Sequence, residues 1–333
     1  MKKYLIILFL FFSNNLSATN YPNSSPETDQ TTNVFYTIQS FSGTTADNIG
    51  DAIDGLCWCR AGFSLTGTGT VTMSNEIPVD REIFLSDRVA LDLFKDLILS
   101  GSVRLGKSGN VASGINTRLE SAIILTGPFD LGANTLRFVS GPGFIDGNSN
   151  FIDFRKGGII TINSPGYELL IRNAELRAVR TSRLTPAKGG SLGLKDALIR
   201  LDGDYMATTA TTSLNIYGDV VVTGTYIFTV DGACNIYNES CLYFDIGTTL
   251  KIGSNATFNF KGSKRGSIYF NGSNIDISSK NFSINSGAIF FENQVVIDDS
   301  DNYKDFICEQ YNSANILGGA RVILDGTTTF SVL

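Results

Sequence analysis

The feature that most constrains the fold of this chain is a degenerate repeat of short alternating strands. In residues 213–297, apolar residues alternate with polar ones over short runs that are separated by Gly, Asn, Ser and Asp. Similar strand starts recur in two series, at Val220, Leu242, Ile268 and Ile289 and at Tyr226, Leu250, Ile275 and Val295. The spacings of 20 to 26 residues, each holding about three strands, predict the coils of a parallel β-helix.

The scarcity of hairpin turns favours parallel over antiparallel pairing. Two-residue turns of the Asn-Gly type, which connect antiparallel neighbours, are almost confined to Asn271 and Gly272. We therefore predict an all-β fold in which residues 63–333 form a right-handed parallel β-helix, a solenoid. An antiparallel β-sandwich is the alternative, because it is also built from short alternating strands.

The first residues carry the pattern of a secretory signal. Lys2 and Lys3 give a basic start, residues 4–12 are an unbroken apolar run, and Ala18 is a small residue suited to cleavage. We therefore assign residues 1–18 to a signal peptide and expect an exported protein of the extracellular space, the cell surface or the periplasm. The apolar run is too short to span a membrane, and we predict no transmembrane segment after the signal peptide.

Two further segments precede the repeats. Residues 19–33 lack apolar periodicity and are rich in polar residues and Pro, which predicts a flexible lead segment. Residues 34–62 are assigned to an N-terminal cap that includes a short capping helix at residues 45–56, where apolar side chains recur at helical spacing. Such a cap would cover the pairing edge of the first coil.

The composition excludes several classes of chemistry. The chain has no histidine, so that neither a Ser-His-Asp or Cys-His catalytic set nor an imidazole metal site can form. A formal net charge of −6 gives no general attraction to nucleic acid, and we predict no nucleic-acid partner. Of the five cysteines, Cys234 and Cys241 could join neighbouring strands, but the pattern favours ordinary structural or free thiols, and the odd number leaves at least one cysteine unpaired or bonded to another chain.

Short motifs in the chain resemble those of known β-helical proteins. Residues 141–148 (GPGFIDGN) and 169–177 (LLIRNAELR) resemble the coil-opening and coil-step segments of the pectin-lyase-like superfamily of right-handed parallel β-helices. Residues 282–293 are similar to the FxxN and GGAI repeats of polymorphic outer-membrane proteins, and autotransporter passengers share this architecture. The resemblance implies an exported β-helix related to both carbohydrate-active enzymes and bacterial surface proteins.

Acidic residues are the candidates for chemistry on such a fold. Sugar hydrolysis needs two converging carboxylates, whereas adjacent strand residues such as Asp298 and Asp299 point to opposite faces and Asp146 stands alone. Asp299, Asp301 and Asp305 place hard oxygen ligands at short spacing, which makes them the candidate site for Ca²⁺, the one cofactor that the sequence suggests. A solvated acidic loop is the alternative for the same residues.

A basic cluster is the candidate site for an anionic partner. Arg177, Arg180, Arg183 and Lys188 lie in or beside residues 178–212, the least strand-like segment, which we predict to project as a loop. The cluster could bind an anionic glycan or an anionic protein surface. The alternative is a solvated loop whose charges are balanced by nearby aspartates.

A series of phenylalanines predicts an interior aromatic stack rather than a platform for sugars. Successive strand residues face opposite sides, so that aromatic residues at alternate positions share one face, and that face is expected to be the core. The series comprises Phe228, Phe244, Phe258, Phe260, Phe270 and Phe282.

These observations favour an exported, non-enzymatic β-helical surface protein that makes adhesive contacts with a glycan or with a host or cell-surface protein. A carbohydrate-active lyase or hydrolase of pectin-lyase-like fold, working with acidic residues alone, is one alternative. A structural subunit that self-associates end to end is another. Two or more carboxylates converging in a cleft on adjacent coils would favour the enzyme.

Overall fold

A computed structural model of the chain describes residues 122–140, 142–162, 165–186, 189–264, 266–284 and 286–298, together with strands on either side of this region. Every regular element among these residues is a β-strand. The predicted signal peptide, the lead segment and the predicted helix at residues 45–56 lie outside the described residues. In the part of the chain that is described, no helix has the length and apolar character of a membrane span.

The strands are numbered in chain order. The first are β1 (Tyr36–Ser42), β2 (Gly62–Met73), β3 (Ile77–Val79), β4 (Glu82–Leu85), β5 (Val89–Leu93), β6 (Leu97–Leu99) and β7 (Gly109–Ser113). Next come β8 (Ile123–Leu125), β9 (Phe129–Asp130), β10 (Thr135–Ser140), β11 (Gly143–Asp146), β12 (Phe151–Asp153), β13 (Ile159–Ile162), β14 (Glu168–Val179), β15 (Leu184–Pro186), β16 (Ser191–Leu201) and β17 (Tyr205–Thr208). Then follow β18 (Ser213–Ile216), β19 (Asp219–Thr223), β20 (Ile227–Val230), β21 (Ala233–Ile236), β22 (Cys241–Phe244), β23 (Thr249–Ile252), β24 (Thr257–Phe260) and β25 (Ser267–Asn271). The last are β26 (Asn274–Asp276), β27 (Phe282–Ile284), β28 (Ala288–Glu292), β29 (Gln294–Asp298), β30 (Phe306–Cys308), β31 (Arg321–Leu324) and β32 (Thr329–Val332).

From β8 onward the strands repeat in a three-strand cycle and form the successive coils of a parallel β-solenoid. The first strands of successive coils stack as face 1, which contains β8, β11, β18, β21 and β24. The second strands stack as face 2, which contains β9, β12, β19, β22, β25, β28 and β31. The third strands form face 3, with β10, β13 and β15 in one sheet and β17, β20, β23, β26, β29 and β32 in another.

Two long strands cross the corner between face 1 and face 2. The first halves of β14 and β16 pair within face 1, and their second halves pair within face 2. At this corner each strand bends at a residue of positive φ, Asn173 (49°) in β14 and Asp196 (50°) in β16, which occupy equivalent positions in the two coils. Asn and Asp tolerate this left-handed conformation better than other residues with a Cβ atom.

Parallel pairing holds for every strand pair among the described residues, which confirms the predicted parallel solenoid and excludes the antiparallel sandwich. The first predicted series is in register, since Val220, Leu242, Ile268 and Ile289 are successive partners. In the second series, the residues in register with Leu250 and Ile275 are Phe228 and Ile297. The predicted Tyr226 and Val295 each lie two residues too early, a shift that alternation alone cannot detect.

The core of the solenoid contains a stack of aromatic rings, as predicted. Phe228, Phe244, Phe270 and Phe291 are fully buried, and their ring centroids follow one another at 5.6, 5.4 and 5.6 Å. A second stack joins Phe258 and Phe282 at 5.0 Å, while Phe260 is partly buried against the core. Because each coil supplies one layer, the rings bury apolar area between coils that no single coil could cover.

The motif at residues 141–148 is explained by the geometry of a corner. Asp146 accepts a hydrogen bond from the backbone N–H of Asn148 at 3.0 Å and forms an ion pair with Arg172 at 2.7 Å. A Cβ atom on Gly147 would lie 2.5 Å from the carbonyl oxygen of Asn173, so that only glycine fits between the two coils. The Asp-Gly pair therefore has a role in coil stacking.

One prediction about local structure is wrong, whereas the interpretation of Cys234 and Cys241 as ordinary thiols agrees with the structure. Residues 178–212 do not project as a loop: they contain β15, β16 and β17, and Leu192, Leu194 and Ile199 of β16 are fully buried. The bend inside β16 interrupts its alternation, which is why the sequence pattern does not show a strand there. Cys234 and Cys241 are both free, because Cys234 points into the core from β21 whereas Cys241 begins β22 on its outer side.

Candidate functional site

The outer surface of face 2 carries a strip of three stacked aromatic side chains, which we call the aromatic strip. Tyr243 of β22, Tyr269 of β25 and Phe290 of β28 are successive partners in the sheet. Their ring centroids are 4.9 and 5.5 Å apart, with interplanar angles of 19° and 15°. The three side chains are half-buried, since their neighbours Leu242, Phe244 and the equivalent residues in the next coils take the inward positions.

A row of hydrogen-bonding side chains runs beside the strip on the same face. This polar row consists of Thr223, Asp245, Asn271 and Glu292. The hydroxyl of Tyr269 donates to Oε2 of Glu292 at 2.9 Å, and Nδ2 of Asn271 donates to the hydroxyl oxygen of Tyr243 at 2.6 Å. The polar row therefore holds the tyrosine rings in fixed orientations.

Two apolar side chains border the polar row at the corner towards face 3. Tyr226 is 39% exposed and Ile246, which directly follows Asp245, is 64% exposed. Polar groups thus lie between the aromatic strip on one side and exposed apolar groups on the other. A sugar ring has the same alternation of C–H surfaces and hydroxyl edges, so that stacking and hydrogen bonding can act on one ring together.

The hydroxyl of Tyr243 is held in the protonated form. Burial raises the pKa of Tyr243, and the nearby charges of Asp245 and Glu292 raise it further against the opposing hydrogen bond from Asn271. The hydroxyl group keeps its proton at neutral pH and can serve as both donor and acceptor.

The part of face 2 nearer the N-terminus carries ion pairs instead of aromatic pairs. Glu175 accepts hydrogen bonds from Nε of Arg177 at 2.9 Å and from Nε of Arg200 at 2.5 Å. The hydrogen bond from Arg177, together with the one from Arg200, lowers the pKa of Glu175 to about 2 despite partial burial. The Arg177 guanidinium also lies 3.7 Å from the centroid of the Phe151 ring.

Two aspartates on neighbouring coils of face 2 also form ion pairs with cationic side chains. Asp130 pairs with Lys156 and Asp153 pairs with Arg155, each at 2.6 Å. Partial burial acts to raise the pKa of both aspartates, but the hydrogen bonds and charges of their cationic partners outweigh it, and both pKa values lie below the ordinary range. The two carboxylates therefore stay ionised and paired at neutral pH.

The structure separates the members of the predicted basic cluster. Arg177 lies on the sheet in its ion pair, whereas Arg180 and Arg183 lie at the corner that follows β14, where the N–H of Arg183 donates to the carbonyl of Arg180 at 2.8 Å. Arg180 is 3.9 Å from Asp202. Lys188 lies outside the described residues.

The predicted acidic sites are placed only in part. Asp299, Asp301 and Asp305 lie outside the described residues. Asp298 is the exposed last residue of β29, and Asp146 is held by Arg172. Where side chains are described, no group of three or more Cys, Asp and Glu residues is arranged to hold a metal ion.

The aromatic strip is not predicted above, although the sequence carries a signal for it. Aromatic residues occur as adjacent pairs in three successive coils, at residues 243–244, 269–270 and 290–291. Neighbours in a strand face opposite sides, so that each pair supplies one ring to the core and one to the outer surface. Comparison of the chain with protein-family models, with curated proteins and with solved structures finds no match.

Proposed function

We propose that this protein is an exported, non-enzymatic β-helical protein that binds an extended glycan along the outer surface of face 2. The observation that carries this proposal is the stack of Tyr243, Tyr269 and Phe290 beside the polar row. The charged start and apolar run of residues 1–18 support export. The motifs at residues 141–148 and 169–177 support a place among pectin-lyase-like β-helices.

The geometry of the strip favours a polymer over a single small molecule. The rings stack on one another at 4.9 and 5.5 Å along the solenoid, so that each coil presents one ring edge and one hydrogen-bonding group in the same arrangement. Consecutive sugar residues of a linear glycan could contact consecutive coils. A ligand of this kind gains affinity from several weak contacts rather than from one deep pocket.

The charge of the polar row favours a glycan without acidic groups. Asp245 and Glu292 contribute two carboxylates, and the row contains no Lys or Arg. Carboxylates accept hydrogen bonds from sugar hydroxyls strongly but repel uronates and sulfates. We therefore expect neutral or amino sugars at the strip.

The proposal includes no catalysis, and the ion pairs formed by four of the described carboxylates support it. A general acid for glycoside hydrolysis needs a carboxyl group whose pKa is raised. Asp130, Asp146, Asp153 and Glu175 instead have lowered pKa values, because cationic side chains hold each of them in the ionised form. These carboxylates fit a role in stabilising the coils.

An anionic partner at the corner of Arg180 and Arg183 is a second candidate. The Nε atom of Arg180 is buried without a hydrogen-bond partner, and no ion pair engages Arg183 among the described side chains. Both guanidinium groups could donate to a carboxylate or sulfate. This corner lies apart from the aromatic strip, so the two candidates can be tested separately.

The test is calorimetric titration of the full chain with oligosaccharides of cellulose, chitin and mannan. We expect the wild-type protein to bind at least one of these oligosaccharides. Tyr269→Ala removes the central ring of the strip and should weaken the affinity about tenfold or more, which corresponds to about 1.4 kcal/mol of binding free energy. Tyr237→Ala is the matched control, because Tyr237 forms a comparable stack with Tyr217, at 4.5 Å, where the strands of face 1 end and outside the aromatic strip.

Two results would overturn the proposal. One is equal affinity of wild type and Tyr269→Ala for every oligosaccharide that binds, and the other is no binding of any of them. Polygalacturonate in the same titration tests the second candidate. Its binding should weaken in Arg180→Gln/Arg183→Gln and persist in Tyr269→Ala.

A further inference from the structure

Face 1 is interrupted between β24 and β27, although the two strands occupy the same position in successive coils. β24 pairs with β21 on one side only, while β27 pairs with β30 in a separate two-stranded sheet. A cleft of about 250 Å³ opens at this interruption. Thr257, Phe258 and Asn259 line it from β24, and Lys280 and Ser283 line it from the following coil.

The interruption affects the backbone and outer surface, not the core. The buried rings of Phe258 and Phe282 remain in contact, with centroids 5.0 Å apart. Outside them, Nζ of Lys280 donates to the carbonyl oxygen of Ala256 at 2.6 Å. The lysine thus supplies the hydrogen bond that a paired strand would otherwise give to this carbonyl.

The open edge of β24 presents backbone groups to the cleft. The N–H groups of Thr257 and Lys261 donate to Gly232 at 3.0 Å and Ile236 at 2.7 Å, both on the β21 side. In a strand the N–H and C=O of alternate residues point to opposite sides. The N–H and C=O of Phe258 therefore point into the cleft, where no strand pairs with them.

On the outer surface of face 1, a row of hydrogen-bonded Asn side chains has one fixed direction from donor to acceptor. Glu168 accepts hydrogen bonds from Nδ2 of Asn215 and, at 3.0 Å, from the hydroxyl of Tyr217. Asn235 then donates to Oδ1 of Asn215 at 2.8 Å, and Asn259 donates to Oδ1 of Asn235 at 3.1 Å. A carboxylate can only accept, so it sets the orientation of the first amide and hence of all three.

The consequence of this polarity appears at the last amide. With Nδ2 of Asn259 committed to Asn235, its Oδ1 is left as an acceptor at the cleft. The cleft therefore offers acceptors at Asn259 and at the Phe258 carbonyl, a donor at the Phe258 N–H, and the hydroxyl of Ser283. None of its lining residues is acidic, and the charge of Lys280 is already engaged by a carbonyl.

We infer that this cleft binds a small polyhydroxyl ligand, of the size of one sugar ring. Hydroxyl groups both donate and accept, and so they can satisfy the mixed set of acceptors and donor that the cleft presents. A volume of about 250 Å³ lies just below the range of pockets for drug-sized ligands and suits a single ring. The site is on face 1 and is independent of the proposed glycan contact on face 2.

The test is a titration of the full chain with D-glucose, D-galactose and N-acetyl-D-glucosamine, followed by saturation-transfer NMR. We expect saturable binding of at least one of these sugars in the millimolar range, as is usual for few hydrogen bonds. Ser283→Phe should fill the cleft and weaken that binding at least tenfold. Asn259→Leu removes the acceptor while keeping the volume, and it should weaken binding even if Ser283→Phe disturbs the coil.

The control variants separate this inference from the proposed function. Tyr269→Ala should leave monosaccharide binding at the cleft unchanged, and Ser283→Phe should leave oligosaccharide binding at the aromatic strip unchanged. The inference is wrong if none of the three sugars binds saturably. It is equally wrong if both Ser283→Phe and Asn259→Leu bind as the wild type does.

Discussion

At the scale of single residues, Glu175 shows how the outer surface of a coil contributes to stability. Its carboxylate lies between the guanidinium groups of Arg177 and Arg200, which come from neighbouring coils. The hydrogen bond between Arg200 and Glu175 therefore joins one coil to the next. A carboxylate that accepts hydrogen bonds from two guanidinium groups stabilises the fold more than an isolated surface ion pair does. Its side chain loses conformational freedom once but makes two interactions.

We expect Glu175→Gln to destabilise the protein by about 1 kcal/mol near neutral pH, since two guanidinium groups lose their anion. The folded-state pKa of Glu175 is about 2, below its ordinary value of 4.5. Its contribution is therefore complete above about pH 4.5 and is lost as the pH falls towards 2. Urea unfolding followed by circular dichroism should show the gap between wild type and variant narrowing over this range.

A matched control for this prediction is Glu239→Gln. Glu239 pairs with Lys264 at 2.6 Å, but both side chains are more than half exposed. Its loss should cost less than about 0.5 kcal/mol. A gap between wild type and Glu175→Gln that stays constant from neutral pH to about pH 2.5 would contradict the assignment.

At the scale of strands, each pair of adjacent aromatic residues places one ring in the core and the other on the outer surface. Phe270 is fully buried between Phe244 and Phe291, whereas Phe290, the strand neighbour of Phe291, is half-buried on the outer surface and stacks on Tyr269. The same residue type thus has two roles, set by strand alternation alone.

We expect Phe270→Ala to cost about 3–5 kcal/mol, because it leaves a cavity in the aromatic stack. Phe290→Ala should cost about 1 kcal/mol or less, because it removes one outward cross-strand contact. Thermal unfolding followed by circular dichroism compares the two. Similar losses of stability in the two variants would contradict the assignment of Phe270 to the core and of Phe290 to the outer surface.

Much of this level of structure is predictable from the sequence. Strand alternation and spacing predict the parallel solenoid, the register of Val220, Leu242 and Ile268, and the buried aromatic stack. The prediction fails where a strand bends, as at Asp196 within β16, because a left-handed residue inside a strand breaks the alternation. The aromatic strip is missed because adjacent aromatic residues look uniformly apolar until each is assigned to a side of the strand.

Other features depend on contacts between distant coils that no local pattern reports. The link from Glu168 through Asn215 and Asn235 to Asn259 crosses face 1 from β14 to β24, a span of five strands. The interruption between β24 and β27 likewise follows from missing pairing, not from a residue type. The sequence does not show whether Arg177 belongs to a free basic cluster or pairs with Glu175. The spacing of charged residues along the chain does not reveal which of them form ion pairs.

At the scale of the whole molecule, the solenoid is held together by contacts between neighbouring coils. The strand partners described from β8 to β29 belong to adjacent coils, and the aromatic stacks and the ion pair between Arg200 and Glu175 follow the same rule. A local lesion should therefore weaken its own coil and the next ones first.

We expect Phe270→Ala to accelerate amide hydrogen exchange in β22, β25 and β28 while leaving β11, β12 and β13 at their wild-type rates. The reason is that the lost ring contacts lie only between these neighbouring coils. Hydrogen-exchange mass spectrometry of the folded variant resolves the two regions. Uniform acceleration from β8 to β29 would instead indicate a single cooperative unit.

The in-register stacking of face 2 also means that the chain can change length by whole coils. Val220 and Leu242 are direct partners 22 residues apart, so that a duplication or deletion between these equivalent points would join one strand to another in the correct alignment. The inner stack and the outer rows would remain continuous across the junction. Recombination within the gene could therefore lengthen or shorten the outer surface of face 2 in steps of one coil, without requiring a new fold.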